Sequence, residues 1–312
     1  MEVCTYLCFP REAVSALSNA WSLLSALPEA VRLFKEIRRE LFAEAEPDAF
    51  ALADRFIPLA KEAALPLFTV QMLFFLTCVP AAKKNSVRVG LSEKVFRDTM
   101  LDLTWKLFET RDVFGVWGVH CAPWIVRILR LTCIALGRLQ FEFLQGEVPF
   151  CDGDRSIAAG DPTIRVHIPS GDPAAFPFAG TPANPAGPEE RANAAPRARL
   201  SYPDVRDSYA QAVSFYGKRF ENTPIVFCCE SWMLYPPVRA LLPEGNLRCF
   251  CDDYTVVRDR LDPLQDDRWR IFHMPNETPI EDYPEENSLQ RALKPYLLSG
   301  GRMGEGMGFF FC

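Results

Sequence analysis

Two kinds of sequence meet at Gly137-Arg138-Leu139-Gln140-Phe141-Glu142-Phe143. Before Gly137, apolar residues recur every three or four positions, which is the period of helices with one buried face. After Gly137, the apolar Leu139, Phe141 and Phe143 alternate with polar residues, which is the two-residue period of a strand with one buried face. The sequence therefore predicts a helical domain over residues 1–137 and a sheet-containing domain over residues 138–312.

The first part predicts a series of helices. We expect them to begin near Pro10, Pro28, Asp48, Phe68 and Ser92. Proline fits the first turn of a helix, and serine is a preferred N-cap residue.

Two further details of the helical part are testable. We expect the helix after Ser92 to bury Phe96, Met100, Leu103 and Leu107 and to turn a solvated face outward. That solvated face carries Lys94, Asp98, Asp102 and Lys106. A last helix, 124–136, is predicted to end at Gly137 as a left-handed C-cap.

The second part predicts strands mixed with helices. Strands are expected at 139–143, 164–168, 225–229, 248–254, 269–274 and 307–311, and helices at 204–220 and 288–298. Elements in this order predict a single α/β or α+β sheet domain. Residues 172–200 are rich in Pro, Ala and Gly and lack an apolar period, which predicts a flexible surface loop.

Composition excludes several classes of protein. A formal net charge of −6 and a pI near 5.3 argue against a nucleic-acid partner, because such proteins cluster Lys and Arg against phosphates. The most apolar stretch, Leu65 to Val79, is shorter than the roughly 20 residues of a membrane span, so we expect a buried helix and no membrane partner.

Cysteine usage bears on metals and on location. The chain has 11 cysteines but no C-x-x-C pair, and no His or Cys cluster supplies four ligands. This pattern predicts reduced, mostly buried thiols in a cytoplasmic protein without a metal. The sequence leaves the oligomeric state open.

Five later motifs occur in a fixed order along the chain. They are Arg138-Leu139-Gln140-Phe141-Glu142, His167-Ile168-Pro169-Ser170-Gly171, Cys229-Glu230-Ser231-Trp232-Met233-Leu234, Asn287-Ser288-Leu289-Gln290-Arg291-Ala292 and Gly301-Arg302-Met303-Gly304-Glu305-Gly306. Together they resemble a family of bacterial acyltransferases that pair a helical N-acyltransferase N-terminal domain with a GNAT-like C-terminal domain. The resemblance covers roughly residues 100 to 312.

The resemblance implies a fold and an activity. The implied fold is α+β, with a helical N-terminal domain followed by a GNAT-like mixed β-sheet domain flanked by helices. The implied activity is transfer of an acyl group from acetyl-CoA or another acyl-CoA to a small acceptor, either an amine or a hydroxyl compound. A catalytically silent GNAT-like module that binds a ligand or another protein is the alternative.

Candidate catalytic residues lie on the polar faces of two predicted strands. If the strands at Leu139 and Ile164 are neighbours, their polar faces place Gln140, Glu142, Arg165 and His167 on one side of the sheet. Acyl transfer to an amine needs a base that removes a proton as the nitrogen attacks the thioester. We predict Glu142 and His167 as the base and its relay, and Gln140 and Arg165 as substrate-binding residues; a merely solvated polar face is the alternative.

A second group of candidates follows the apolar strand 225–229. Glu230 lies at the carboxyl end of this strand, where α/β sheets commonly present functional groups, so it is a candidate base. An ion pair with an arginine such as Arg239 is the alternative. We predict Ser231 as a cofactor-binding residue and Trp232 as a substrate-binding residue.

Further candidates are weaker. Gly304 and Gly306 form the Gly-x-Gly cluster and are predicted to approach the cofactor closely, although a helix end followed by a tight turn explains them equally well. A covalent mechanism on Cys229 and an acid role for Tyr235 or Tyr254 also stay open.

Overall fold

The computed structural model describes residues 2–171, 200–221, 223–263 and 267–312. The predicted flexible loop at 172–200 lies outside the described residues, except for Leu200. By contacts, residues 2–135 and 169–171 form a first unit, and residues 136–168 and 200–312 form a second unit with the same gaps. The chain passes from the first unit to the second between residues 135 and 136, and the predicted boundary after Gly137 lies two residues later.

The described part of the first unit is mainly helical. Its helices are α1 (Glu2–Tyr6), α2 (Arg11–Ser25), α3 (Pro28–Leu41), α4 (Ala49–Asp54), α5 (Ile57–Glu62), α6 (Leu67–Arg88), α7 (Glu93–Met100), α8 (Asp102–Phe114) and α9 (Ala122–Arg130). Asp48 and Ser92 cap α4 and α7 through their side-chain oxygens, as expected of these residue types.

The core of the first unit is built around α6. The rings of Phe34 and Phe56 lie with their centroids 5.4 and 4.9 Å from that of Phe74, a residue of α6. Helix α6 is long and apolar enough to cross a membrane by length and composition, but most of its apolar stretch is buried inside the protein. It is the buried helix that the sequence predicts.

The predicted solvated face after Ser92 is wrong. Only Lys94 is exposed, whereas Asp98, Asp102 and Lys106 are buried. Within the unit, Asp102 accepts a hydrogen bond of 2.5 Å from the indole N–H of Trp124. Lys106 donates a hydrogen bond of 2.8 Å to Glu109. The apolar period shows which face must be buried, but it does not show that charged side chains on another face have partners that permit burial.

The predicted last helix is also wrong in its extent. Helix α9 ends at Arg130, and Leu131 takes the left-handed C-cap with φ of 60°. Residues Cys133–Leu136 then form strand β1 instead of the last turn of the predicted helix. Gly137 has the expected left-handed backbone, with φ of 70°, but it lies in the turn that leads from β1 into the next strand.

The second unit combines strands and helices. Its strands are β2 (Leu139–Gln145), β3 (Phe150–Asp152), β4 (Arg155–Ile157), β5 (Pro162–His167), β6 (Val226–Ser231), β7 (Thr255–Leu261) and β8 (Gly304–Phe311). Its helices are α10 (Tyr202–Tyr216), α11 (Pro236–Arg239), α12 (Asn246–Asp252), α13 (Arg268–Phe272) and α14 (Ser288–Leu298).

The main sheet of the second unit has the order β2-β5-β6-β8-β7. Strands β5 and β6 are parallel, and the other neighbours in this series are antiparallel. Strands β3 and β4 form a separate hairpin. Helices followed by a mixed sheet confirm the predicted α+β class.

Two predictions of secondary structure in the second unit are wrong, and one strand was missed. Residues 248–254 and 269–274 were expected as strands but belong mainly to the short helices α12 and α13. Strand β7, which carries mostly exposed residues, was not predicted at all. Short apolar runs fit either period, and an exposed edge strand has no buried face from which a period arises.

One face of the sheet is apolar and packs against α10. The ring of Tyr209 lies 4.9 Å from that of Phe227 and 5.0 Å from that of Phe310, between centroids. On this face, glycines in β8 allow neighbouring backbone atoms to lie close to the strand. A Cβ atom on Gly306 would overlap the carbonyl oxygen of Leu234, and one on Gly304 would lie 2.5 Å from the carbonyl oxygen of Arg260.

We expect Gly306→Ala to lower the free energy of unfolding by about 1–3 kcal/mol, because the backbone at Leu234 has to move to admit a methyl group. The measurement is equilibrium unfolding in urea. Gly217→Ala is the control, since its Cβ would make an ordinary 3.5 Å contact with Ile225 and its φ is −51°. The control is expected to change stability by less than about 1 kcal/mol. Equal losses in both variants would contradict this explanation of Gly306.

Candidate active site

The parallel strands β5 and β6 part near their carboxyl ends. They share only two register pairs, Ile164 with Phe227 and Arg165 with Cys228. Strand β5 continues to His167 and β6 continues to Ser231, but the ladder between them does not. The carboxyl ends of adjacent parallel strands are the usual position of ligand sites in sheets of this kind. We call this opening the fork.

The predicted polar face exists beside the fork. Strands β2 and β5 are antiparallel neighbours, with Gln140 opposite His167 and Glu142 opposite Arg165. All four side chains therefore share one side of the sheet, as predicted. Gln140 is almost completely buried, with 1% of its surface exposed, so it is not a solvated residue of an open strand face.

Glu142 and His167 form a direct contact. Nε2 of His167 lies 2.8 Å from Oε2 of Glu142, which is 3% exposed. The side chain of His167 is 22% exposed, so the imidazole is more accessible than the carboxylate. In a neutral ring, the carboxylate retains the proton on Nε2 and leaves the lone pair on Nδ1. The arrangement therefore holds the imidazole of His167 against a buried carboxylate at the end of β5.

Glu230 lies on the other side of the fork and faces two arginines. Its Oε1 is 3.7 Å from Arg258 and 3.4 Å from Arg260, both on β7. Arg260 also pairs with Glu305 at 2.7 Å. An ion pair was the alternative prediction for Glu230, but the named partner was wrong, because Arg239 pairs with Asp252 instead. A catalytic role for Glu230 stays a prediction.

Sequence reasoning missed the carboxylate that links the two sides of this face. Glu147 follows β2 and bonds to Arg165 at 3.0 Å and to Arg258 at 3.1 Å. These arginines, with Arg258 first, lower the pKa of the Glu147 carboxyl below its ordinary value. The sequence signal that could have revealed this charged face is the two-residue spacing of Arg258 and Arg260 within 255–261, which is the period of a strand.

Strand alternation separates the two neighbouring cysteines. Cys228 is opposite Arg165 and shares the polar face, whereas Cys229 lies opposite Gly308 and shares the apolar face. Burial raises the pKa of the Cys229 thiol well above its ordinary value. A buried thiol of this kind is a poor nucleophile, so the structure does not favour covalent catalysis on Cys229.

The two tyrosine candidates are also buried. The hydroxyl of Tyr254 contacts that of Tyr209 at 3.1 Å on the apolar side of the sheet, away from His167. Burial raises the pKa of Tyr254 well above its ordinary value and also raises that of Tyr235. Neither tyrosine is brought to the polar face with Glu142.

The remaining predicted residues have structural contacts of their own. The Ser231 hydroxyl accepts a hydrogen bond of 3.3 Å from the backbone N–H of Met233. Trp232 packs against an apolar cluster that includes Tyr235 and Val238. Gly304 and Gly306 are regular residues of β8 whose missing side chains admit neighbouring backbone. Ligand-binding roles for these residues stay predictions.

The two parts of the chain match two known domains. Residues 1–131 match the N-acyltransferase N-terminal domain, and residues 194–310 match the GNAT-like C-terminal domain. This chain is an N-acyltransferase N-terminal domain joined to a GNAT-like C-terminal domain. The fork and its polar face lie in the GNAT-like part and in the strands that immediately precede its matched region. No curated protein matches the chain.

Solved acyltransferase structures share this fold. One, in complex with decanoyl-CoA and teicoplanin, is 20% identical with a TM-score of 0.68. A mutant in complex with octanoyl-CoA is 21% identical with a TM-score of 0.69, and a complex with CoA and 10C-teicoplanin is 21% identical with a TM-score of 0.67. Each likeness covers 99% of this chain and 86% of the other. At this identity the likeness establishes the fold of the two-domain chain.

We expect thiol alkylation to follow burial. Cys151, Cys249 and Cys312 are exposed and should react first with iodoacetamide at about pH 8, whereas Cys228 and Cys229 should react only after denaturation. Peptide mass spectrometry after a short exposure measures the order, with the denatured chain as the control. Rapid alkylation of Cys229 in the folded protein would contradict the assignment of a buried, inert thiol.

Proposed function

We propose that this protein is an acyl-CoA-dependent acyltransferase that transfers the acyl group to a small-molecule acceptor by direct attack. The observation that carries the proposal is the Glu142–His167 pair at the carboxyl end of β5, beside the fork. The two matched domains support the acyltransferase class.

The fork suits an extended ligand with amide groups. Where β5 and β6 cease to pair, each strand continues without the other as its hydrogen-bonding neighbour. The pantetheine arm of coenzyme A is an extended chain with two amides, which matches the pattern of donors and acceptors along a strand edge. An arm bound along the fork brings its thioester near the ends of both strands, where His167 and Glu230 lie.

The chemistry then needs one proton acceptor and one leaving group. The acceptor nitrogen or oxygen attacks the thioester carbonyl carbon, a new C–N or C–O bond forms, and the C–S bond breaks. Nδ1 of His167 takes the proton of the attacking group, while Glu142 stabilises the resulting imidazolium through Nε2. The proton passes to the departing thiolate, which leaves as free coenzyme A.

The solved relatives support the choice of substrates. The similar structures are acyltransferases in complex with decanoyl-CoA, octanoyl-CoA or CoA, and two of the complexes also contain teicoplanin or its acylated form. By analogy we propose a medium-chain acyl-CoA as donor and a small molecule as acceptor for this chain. An amine and a hydroxyl acceptor are both compatible with His167 as base.

We expect wild-type protein to bind decanoyl-CoA, octanoyl-CoA or acetyl-CoA in calorimetric titration. His167→Gln should bind the same thioester with similar affinity but transfer the acyl group about 10²- to 10⁴-fold more slowly, because the proton acceptor is gone. Turnover is measured as release of free thiol, with a panel of small amines and alcohols as acceptors.

The matched control is His273→Asn, which removes a histidine outside the fork and suits its left-handed backbone of φ 53°. It should bind and turn over as the wild type does. Absence of binding to all three thioesters would refute the proposal. Binding without turnover of any acceptor would favour the silent binding module instead.

A further inference from the structure

Two oppositely charged residues lie directly across from each other in the sheet, but they do not form an ion pair with each other. Glu142 and Arg165 are directly opposite each other on the antiparallel strands β2 and β5 and share one face. Side chains in such positions have Cβ atoms about 4.5–5.5 Å apart, and opposite charges there normally attract. A bond between Glu142 and Arg165 is therefore the default for this pair.

Both side chains bond elsewhere. Glu142 contacts His167, two positions along from its direct partner. Arg165 instead extends towards the β6 side, where its Nη2 donates to Glu147 at 3.0 Å beside Cys228. The Nε atom of Arg165 is buried and has no hydrogen-bond partner within the described ranges of the chain. Glu147 is thus the carboxylate that Arg165 uses in place of Glu142.

Two features hold Glu147 in position. The first is Arg258 on β7, which bonds to the second carboxylate oxygen at 3.1 Å. The second is the hairpin that follows, because the ring of Phe150 stacks on Phe309 and Phe311 of β8 at 5.4 and 5.1 Å between centroids. Arg258 and Arg165, which bond to the two carboxylate oxygens of Glu147, also lower the pKa of this carboxyl, so its charge persists at neutral pH.

We propose that Glu147 is a positioning residue for the proposed reaction: it draws Arg165 away from Glu142 and so leaves Glu142 to orient the imidazole of His167. The inference rests on the proposed function for its role in catalysis, but the geometry it describes belongs to the free protein. Without Glu147, the guanidinium of Arg165 turns to its cross-strand partner and competes with His167 for the same carboxylate.

The test follows the tautomer of His167. In wild-type protein, long-range ¹H–¹⁵N spectra of the neutral imidazoles should show one protonated Nε2 and one unprotonated Nδ1 for His167, assigned with His167→Gln. Glu147→Gln should lose the wild-type separation between these two ¹⁵N shifts, because the carboxylate no longer selects one tautomer. The chain has three histidines, so the spectra are simple.

A second change distinguishes positioning from general damage. In Glu147→Gln combined with Arg165→Gln, the guanidinium of Arg165 no longer competes for Glu142, so the wild-type ¹⁵N separation should return. Asp252→Asn is the matched control, since Asp252 also bonds two arginines, Arg239 and Arg248, and is 50% exposed against 51% for Glu147. This control should leave the His167 signals unchanged.

The outcomes separate this inference from the proposed function. A wild-type pattern in Glu147→Gln, failure of Arg165→Gln to restore the pattern, or the same loss in Asp252→Asn would each overturn the positioning role. All these spectra are recorded without coenzyme A, so failure to bind acyl-CoA refutes the proposed function and leaves this result intact. If the protein turns over acyl-CoA, Glu147→Gln should lower kcat about tenfold while KM for the thioester stays near its wild-type value, as for groups that orient a reactive side chain.

Discussion

The ladder between β5 and β6 is only two residue pairs long, and the polar chemistry of the second unit gathers where that ladder ends. If two parallel strands stayed paired to their carboxyl ends, the backbone N–H and C=O groups there would bond to the neighbouring strand. Strands that part instead leave two strand edges facing one another, with side chains of both at the rim. His167 comes to this rim from β5 and Glu230 from β6, although they are 63 residues apart in sequence.

Charge compensation on the polar face depends on the same geometry. The carboxylates of Glu147, Glu230 and Glu305 each contact an arginine of β5 or β7. Half-buried carboxylates of this kind are tolerated because guanidinium groups supply several N–H donors in a fixed arrangement. On the same face, the carboxylate of Glu142 contacts the imidazole of His167. A neutral imidazole carries one nitrogen that accepts a proton, whereas a guanidinium carries none, so this contact differs chemically from the arginine pairs.

Sequence alternation predicted the polar face well because strands have a strict period of two. Once β2 and β5 are neighbours, alternation alone places Glu142, Arg165 and His167 on one side. Periodicity failed where a charged side chain is buried because it has a hydrogen-bonding partner. Asp102 is an example, since its hydrogen bond from Trp124 permits its burial. It failed again in 248–254, where a short helix buries Phe250 and Cys251 and leaves too few residues to tell the two periods apart.

The sequence by itself determined the two-part organisation, the change of period at Gly137 and the side of each strand on which a residue lies, because these depend on residues close together in the chain. Only the tertiary structure decided which charges meet. Arg165 bonds to Glu147 rather than to its cross-strand partner, and Arg258 reaches the same carboxylate from 111 residues away. A local pattern carries no information about such pairs, since strand order and the end of the β5–β6 ladder set the distances between them.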